Sequence, residues 1–384
     1  MTALESSPRR LNGALKVFFR NGVRVALSHP RQALPFARAV FRLGKAARRR
    51  AALKSRGTTV PPIIIFSVTD RCNLACAGCY AQSFRAPTEG ELDAAALRRV
   101  VQEARDLGVS FFVVAGGEPL LRPELAGIMS GFPEIIFFVF TNGLLMDEGW
   151  LGTLRRHRNI IPLLSFEGDL AMTDGRRGPG TYDRLMALCG ELRRRAVFFG
   201  ASLTLTREHF SAITSHEYTR SLVEAGCKFF LYLEYTPTTE GTEDWALTAD
   251  QWARMRELLP AFRAAFPALF IAVPWDEDDV GGCLSAGRGF VHINPRGDVE
   301  PCPFAPFSDV NIKHVPLEAA LRSKFLETIR ARPELARETG GGCVLWKERA
   351  AVKSLLVAAR NDEEERSHAN GHAERKVPAR EGQA

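Results

Sequence analysis

Six short apolar runs stand between residues 61 and 235, and a segment with apolar positions at helical spacing follows each of them. The runs predict strands at Ile63–Thr69, Phe111–Ala115, Ile135–Thr141, Ile161–Phe166, Phe198–Thr204 and Phe229–Tyr235. The periodic segments predict helices near Glu91–Leu107, Pro123–Phe132, Asp147–His157, Thr181–Arg195, Ile213–Ala225 and Thr248–Phe266. The strands are apolar almost throughout rather than alternating, so both of their faces are expected to be buried. Strand and helix in strict alternation predict a parallel sheet with the helices outside it.

The flanks break this rhythm. From Leu11 to Leu27, and again around Leu34 to Leu43, apolar residues recur at helical spacing opposite Lys and Arg, and the second stretch ends in the basic run Lys45 to Lys54. Such helices either lie across the bottom of their own domain or rest on an anionic surface. From Gly281 to about Val357 the chain is rich in Gly and Pro. His292 to Val299 reads there as a β-hairpin, and a helix is expected near Leu317–Arg330. After Ala359 the sequence is polar, with Glu363, Glu364 and Glu365 in a row, and reads as a disordered tail. The expected divisions are 1–56 (basic helical segment), 57–275 (α/β core), 276–358 (a smaller C-terminal unit) and 359–384 (tail).

Charge changes the picture at one end only. The net charge is +7, but residues 1–56 hold fourteen Lys and Arg against the single acid Glu5, or +13, so the remainder carries 7 − 13 = −6. The basic balance therefore belongs to the N-terminal segment and not to the core. No apolar run approaches the ~20 residues of a bilayer span, and no signal-peptide pattern is seen. A cytoplasmic location is expected, with the basic segment able to rest on the inner face of the membrane. No nucleic-acid motif accompanies the basic residues.

The candidate chemistry sits at the end of the first strand. Cys72, Cys76 and Cys79 follow Thr69 in the pattern CxxxCxxC. Three thiolates on one short loop can hold three corners of a cubic iron–sulfur cluster and leave the fourth open. A structural zinc site is the alternative, though zinc usually takes four such ligands.

Further stretches arrive in a telling order. Gly116-Gly117-Glu118-Pro119 follows the second strand, Thr141-Asn142-Gly143 ends the third, and Ser165-Phe166-Glu167-Gly168 ends the fourth. With CNLACAGCY these resemble the motifs of the radical S-adenosylmethionine (SAM) superfamily. The resemblance implies a partial (β/α)6 TIM-like barrel. It also implies a [4Fe–4S] cluster on Cys72, Cys76 and Cys79, with SAM on the open iron. Gly116, Gly117, Glu118 and Pro119 would then meet SAM's amino group. Asn142, Ser165, Glu167 and Ser202 would be polar contacts, with Glu167 standing where Asp is more familiar. The position before the third cysteine is often aromatic in that family. Here it is Gly78, and Tyr80 is the ring available nearby. Asp174, Arg176-Arg177-Gly178 and Gly180-Thr181-Tyr182 continue the resemblance to peptide-modifying members.

Cys283, the run Asn294-Pro295-x-Gly297-Asp298-Val299-x-Pro301-Cys302, and Cys343 resemble the SPASM or twitch extension. This implies at most one auxiliary iron–sulfur cluster on those three cysteines. Its fourth ligand is Cys227, a non-cysteine group or the substrate. The alternative is three unligated thiols. Cys189 reads as a buried helix residue.

The expected reaction is reductive cleavage of SAM to a 5′-deoxyadenosyl radical that removes hydrogen from a substrate. The expected substrate is a peptide, or else a lipid or small metabolite met at a membrane surface. Reduced flavodoxin or ferredoxin is the expected electron donor. A protein of another class, a non-enzymatic iron–sulfur electron carrier, would need four protein ligands per cluster.

Overall fold

The computed structural model describes residues 30–337 and 342–374, with side chains between 40 and 361. The expected helix over 11–27 lies outside the described residues. Nine strands form one sheet: β1 (Ile63–Ser67), β2 (Phe111–Ala115), β3 (Ile136–Thr141), β4 (Ile160–Phe166), β5 (Gly200–Leu205), β6 (Phe229–Glu234), β7 (Leu269–Val273), β8 (Phe290–Ile293) and β9 (Val299–Glu300). Their order is β7-β6-β5-β4-β3-β2-β1-β8-β9. Neighbours from β7 to β8 pair in parallel, and β8 and β9 pair antiparallel. The longer helices are α1 (Pro30–Lys54), α2 (Ala94–Leu107), α3 (Glu124–Ser130), α4 (Glu148–Arg156), α5 (Leu170–Arg177), α6 (Thr181–Arg194), α7 (His216–Ala225), α8 (Ala249–Ala265), α9 (Lys324–Arg330) and α10 (Arg349–Glu374).

The six expected strands form. A seventh strand, β7, begins three residues after α8 and is not among the expected strands. Two expected helices are divided. Ser215 and Ser323 turn their hydroxyls back onto the amides of Tyr218 and Leu326, which starts α7 and α9 afresh. Asp93, Asp147 and Asp169 cap α2, α4 and α5 in the same way.

Aromatic contacts identify the concave face of the sheet. Phe111 stacks on Phe138, and Phe138 meets Phe229 at 5.4 Å between ring centroids. Residues on β3 and β6 touch only across a curved sheet, because β4 and β5 lie between them. Residues paired in register share a face, so Ile63, Ile65 and Ser67 are concave with Phe111, and Ser165 and Ser202 with Phe138. The concave face is thus aromatic where the strands begin and hydroxyl-bearing where they end. Phe66, Phe112 and Phe137 lie on the other face, fully buried.

The C-terminal unit is continuous with this sheet. β8 pairs along β1, so the hairpin that carries Cys302 extends the barrel wall. α10 carries buried Val352, Leu356 and Ala359 at helical spacing and runs on to Glu374. The expectation of disorder from residue 359 is corrected over 359–374. Arg360, Glu363, Glu364, Glu365 and Arg366 are good helix formers, and they prolong a helix already anchored by its apolar stripe.

α1 crosses the bottom of the barrel, where the strands begin. Arg50 donates to Ser110 Oγ at 2.8 Å and to the Gly108 carbonyl, and Arg42 donates to the Pro133 carbonyl. Leu43, Ala46 and Leu53 are half-buried, while Phe41, Arg42, Lys45, Arg48, Arg49 and Lys54 are exposed. Among the described residues no helix is long and apolar enough to cross a membrane.

Candidate cofactor site at the cysteine loop

The loop after β1 is pinned before its first cysteine. Glu91 accepts hydrogen bonds from Thr69 Oγ1 and the Asp70 amide, and Asp70 pairs with Arg296 at 2.9 Å. The turn after β2 zips onto the same backbone. The Gly117 amide donates to the Thr69 carbonyl at 2.7 Å, and the Glu118 amide to the Arg71 carbonyl at 2.8 Å. A Cβ on Gly117 would overlap that Arg71 carbonyl, so the close approach requires glycine.

Cys72, Cys76 and Cys79 are half-buried on this loop. Burial pushes the Cys72 and Cys76 thiols up. At Cys76 the guanidiniums of Arg177 and Arg176 act against burial. Among the described residues no three His, Cys, Asp or Glu side chains converge as ligands of one ion would. A cubane places its cysteines on separate irons, and three thiols spread along a pinned loop beside two guanidiniums fit that demand.

Glu118 is buried, and burial raises its carboxyl. Oε1 accepts from Thr141 Oγ1 at 2.8 Å and the Leu120 amide at 3.1 Å, and Oε2 accepts from the Asn142 amide at 2.8 Å. It therefore ties the end of β2 to the end of β3. Pro119 begins the 3-10 turn Pro119–Leu121 that follows. Asn142 Nδ2 reaches the loop itself, donating to Asn73 Oδ1 at 2.8 Å.

Glu167 is buried, and its carboxylate is held by both Arg176 and Arg177, the latter donating from Nε at 2.9 Å. Burial would raise this carboxyl, but the two guanidiniums outweigh burial and lower it. The carboxylate of Glu167 is thus engaged by the two arginines of α5. Arg176 also donates from Nε to the Ala77 carbonyl at 3.0 Å, and its own carbonyl accepts from the Ala77 amide. Glu167 thus fixes the C-terminal end of α5 against the cysteine loop.

The Tyr80 ring packs edge-on against Phe304 at 5.4 Å, and burial and the neighbouring Cys79 and Cys302 thiols raise its hydroxyl pKa. Tyr80 thus lies between the cysteine loop and Cys302 of the C-terminal unit. The C-terminal cysteines do come together. Cys302 and Cys343 interact, which raises the Cys302 thiol and lowers that of Cys343, while Cys283 is near enough to act on Cys302 and to feel Cys343. Burial pushes the Cys283 thiol up to about 12, and its Sγ lies 3.2 Å from Ser285 Oγ. Cys227 is fully buried against Cys189 in the core, so it is not their fourth partner.

One buried network carries no sequence signature. His292 on β8 lies with Nε2 2.8 Å from Ser67 Oγ and Nδ1 2.6 Å from Glu300 Oε2. Asn294 Nδ2 donates to Glu300 Oε1 at 2.8 Å. His292 pairs with Ile65 in register, and Glu300 with His292, so the network lies in the concave wall.

Comparison with known proteins agrees with this arrangement. Residues 66–207 match the family model of the radical SAM superfamily. The AdoMet-dependent heme synthase of Methanosarcina barkeri is 25% identical, over 79% of this chain and 95% of that protein. The PqqA peptide cyclase of Gluconobacter oxydans is 26% identical, over 63% of this chain and 70% of that protein. Among solved structures, Streptococcus suis SuiB bound to the precursor peptide SuiA superposes with a TM-score of 0.60 at 20% identity, covering 75% of this chain and 71% of that one. That likeness is one of fold. The motif order, the cysteine loop and the matched domain together make this chain a radical SAM enzyme, of the family whose cofactors are a [4Fe–4S] cluster and S-adenosylmethionine.

Proposed function

We propose that the enzyme modifies a peptide by hydrogen-atom abstraction at the hydroxyl-bearing end of its concave face. Bound at Cys72, Cys76 and Cys79, the cluster and SAM supply a 5′-deoxyadenosyl radical when reduced. The chain's own residues do the rest. Gly116 and Gly117 allow backbone to approach SAM closely, and Asn142, Ser165 and Ser202 offer polar contacts to its ribose and methionine parts. Arg176 and Arg177 hold the loop and balance thiolate charge.

The observation that carries this reading is the register of the sheet. It collects Ser67, Ser165 and Ser202 on one face, above the phenylalanines and beside the pinned cysteine loop. Cys283, Cys302 and Cys343 would hold one auxiliary cluster, and the Tyr80–Phe304 ring pair packs nearby. The peptide reading is supported by the PqqA peptide cyclase among the relatives. A tetrapyrrole substrate is the second reading, favoured by the heme synthase aligning over more of the chain. A lipid substrate loses support, because α1 carries its basic face at the end opposite the cysteine loop.

The test is SAM cleavage by the iron-loaded, dithionite-reduced full chain, dithionite replacing a flavodoxin or ferredoxin donor. Formation of 5′-deoxyadenosine supports the assignment. No cleavage at full cluster occupancy overturns it. Precursor peptides and haem precursors are then compared for the gain in cleavage each produces.

A further inference from the structure

Gly78 lies between Cys76 and Cys79 with φ +63, a left-handed conformation that favours glycine. A Cβ at this position would come within 2.6 Å of Tyr235 Oη and 2.7 Å of Trp245 Cζ3. Two aromatic side chains therefore occupy the space that a side chain at residue 78 would take. Both come from the segment after β6, about 160 residues further along the chain.

This aromatic pair is held firmly. Tyr235 is buried, donates its hydroxyl to Thr242 Oγ1 at 2.9 Å, and lies under the guanidinium of Arg176 at 5.9 Å. Trp245 sits 5.5 Å from Tyr235, centroid to centroid, at 43°. Its amide donates to the Thr242 carbonyl, and its carbonyl accepts from the Arg207 amide at 2.8 Å. Tyr235 is thus enclosed, while Trp245 is half-buried, with the Cε3–Cζ3 edge of its indole against Gly78 of the cysteine loop.

A half-buried indole on a fixed backbone suits a flat π-system, and indole stacks on purines with little geometric penalty. SAM held by its methionine part at the loop has only one such group to place, its adenine. We propose that Trp245 is the stacking platform for the adenine of SAM, with Tyr235 as its rigid backing and Gly78 as the gap that admits it. This rests on the radical SAM reading and names a positioning residue within it.

The experiment uses the full-chain, iron-loaded, oxidised enzyme, in which no turnover occurs. SAM and free methionine are each titrated by calorimetry and by tryptophan fluorescence, in wild type, Trp245→Ala and Trp245→Phe. Trp245→Ala is expected to bind SAM roughly tenfold more weakly, within what a base loses when its aromatic partner becomes alanine. Trp245→Phe is expected to restore most of that loss, and methionine affinity stays the same in all three. SAM should quench wild-type fluorescence, and the quench should vanish in both variants. Trp245→Ala binding SAM like wild type overturns the proposal. So does an equal loss for SAM and methionine, which marks a merely structural residue. A wild-type enzyme that holds iron yet binds no SAM overturns this proposal and the radical SAM reading together.

Discussion

Ser67 and His292 are 225 residues apart in the chain and 2.8 Å apart in the structure, with the hydroxyl facing Nε2 inside the barrel wall. Through His292, Ser67 is linked to Glu300, and so the strand feeding the cysteine loop is tied to the hairpin that carries Cys302. His292→Ala leaves a buried hydroxyl without its partner and Glu300 with only Asn294. A loss of about 3 kcal/mol is expected, read as a lower urea midpoint with the slope unchanged. A midpoint equal to wild type would remove the network from the stability of the fold.

Glu167 is buried between Arg176 and Arg177, and its carboxyl is lowered in the folded chain. A lowered pKa contributes stability that is complete above the unfolded carboxylate value, about 4.3, and is lost as pH falls through the folded value. Glu167→Gln is expected to cost about 3–5 kcal/mol at neutral pH, because two buried guanidiniums lose their counter-charge. The variant should also lose less stability than wild type as the pH falls below about 4.3. Thermal unfolding against pH in both proteins checks the sign, and parallel curves would contradict it.

The two cysteine sets are separable. Cys76→Ala should abolish SAM cleavage and remove the SAM-sensitive electron paramagnetic resonance signal. Cys343→Ala should lower iron content while that signal persists. Iron content unchanged by Cys343→Ala would mean that the C-terminal thiols hold no metal.

α1 exposes Phe41, Arg42, Lys45, Arg48, Arg49 and Lys54, with no acidic residue anywhere along the helix. Full-length protein is expected to sediment with vesicles that contain phosphatidylglycerol and not with pure phosphatidylcholine. Reversing Lys45, Arg48 and Arg49 to Glu should abolish this. If the reversed variant sediments as well as wild type, the basic face has no part in membrane contact.

Much of the scaffold was legible because burial on both faces leaves a strong mark: six of the seven core strands are apolar runs. β7 escaped because five residues just after a helix, only Phe270 and Ala272 of them buried, carry little periodic signal. The cysteines and the Gly-Gly turn were legible because each is local in the chain. The arginine partners of Glu167 were not legible as such, because only the fold shows Arg176 and Arg177 holding both carboxylate oxygens. The packing of Tyr80 on Phe304 was not legible because Phe304 belongs to a unit that looked separate. His292 looked like one hairpin residue among others, since nothing local links it to Ser67. The tail after Ala359 looked disordered because composition does not register that it continues a helix anchored by Val352, Leu356 and Ala359.

The phenylalanines at the foot of the concave face and the hydroxyls at its strand ends divide the wall into a dry half and a wet half. Whatever lies along that face is sorted by polarity: its apolar part is directed toward the strand starts, and its polar part stays beside the cysteine loop.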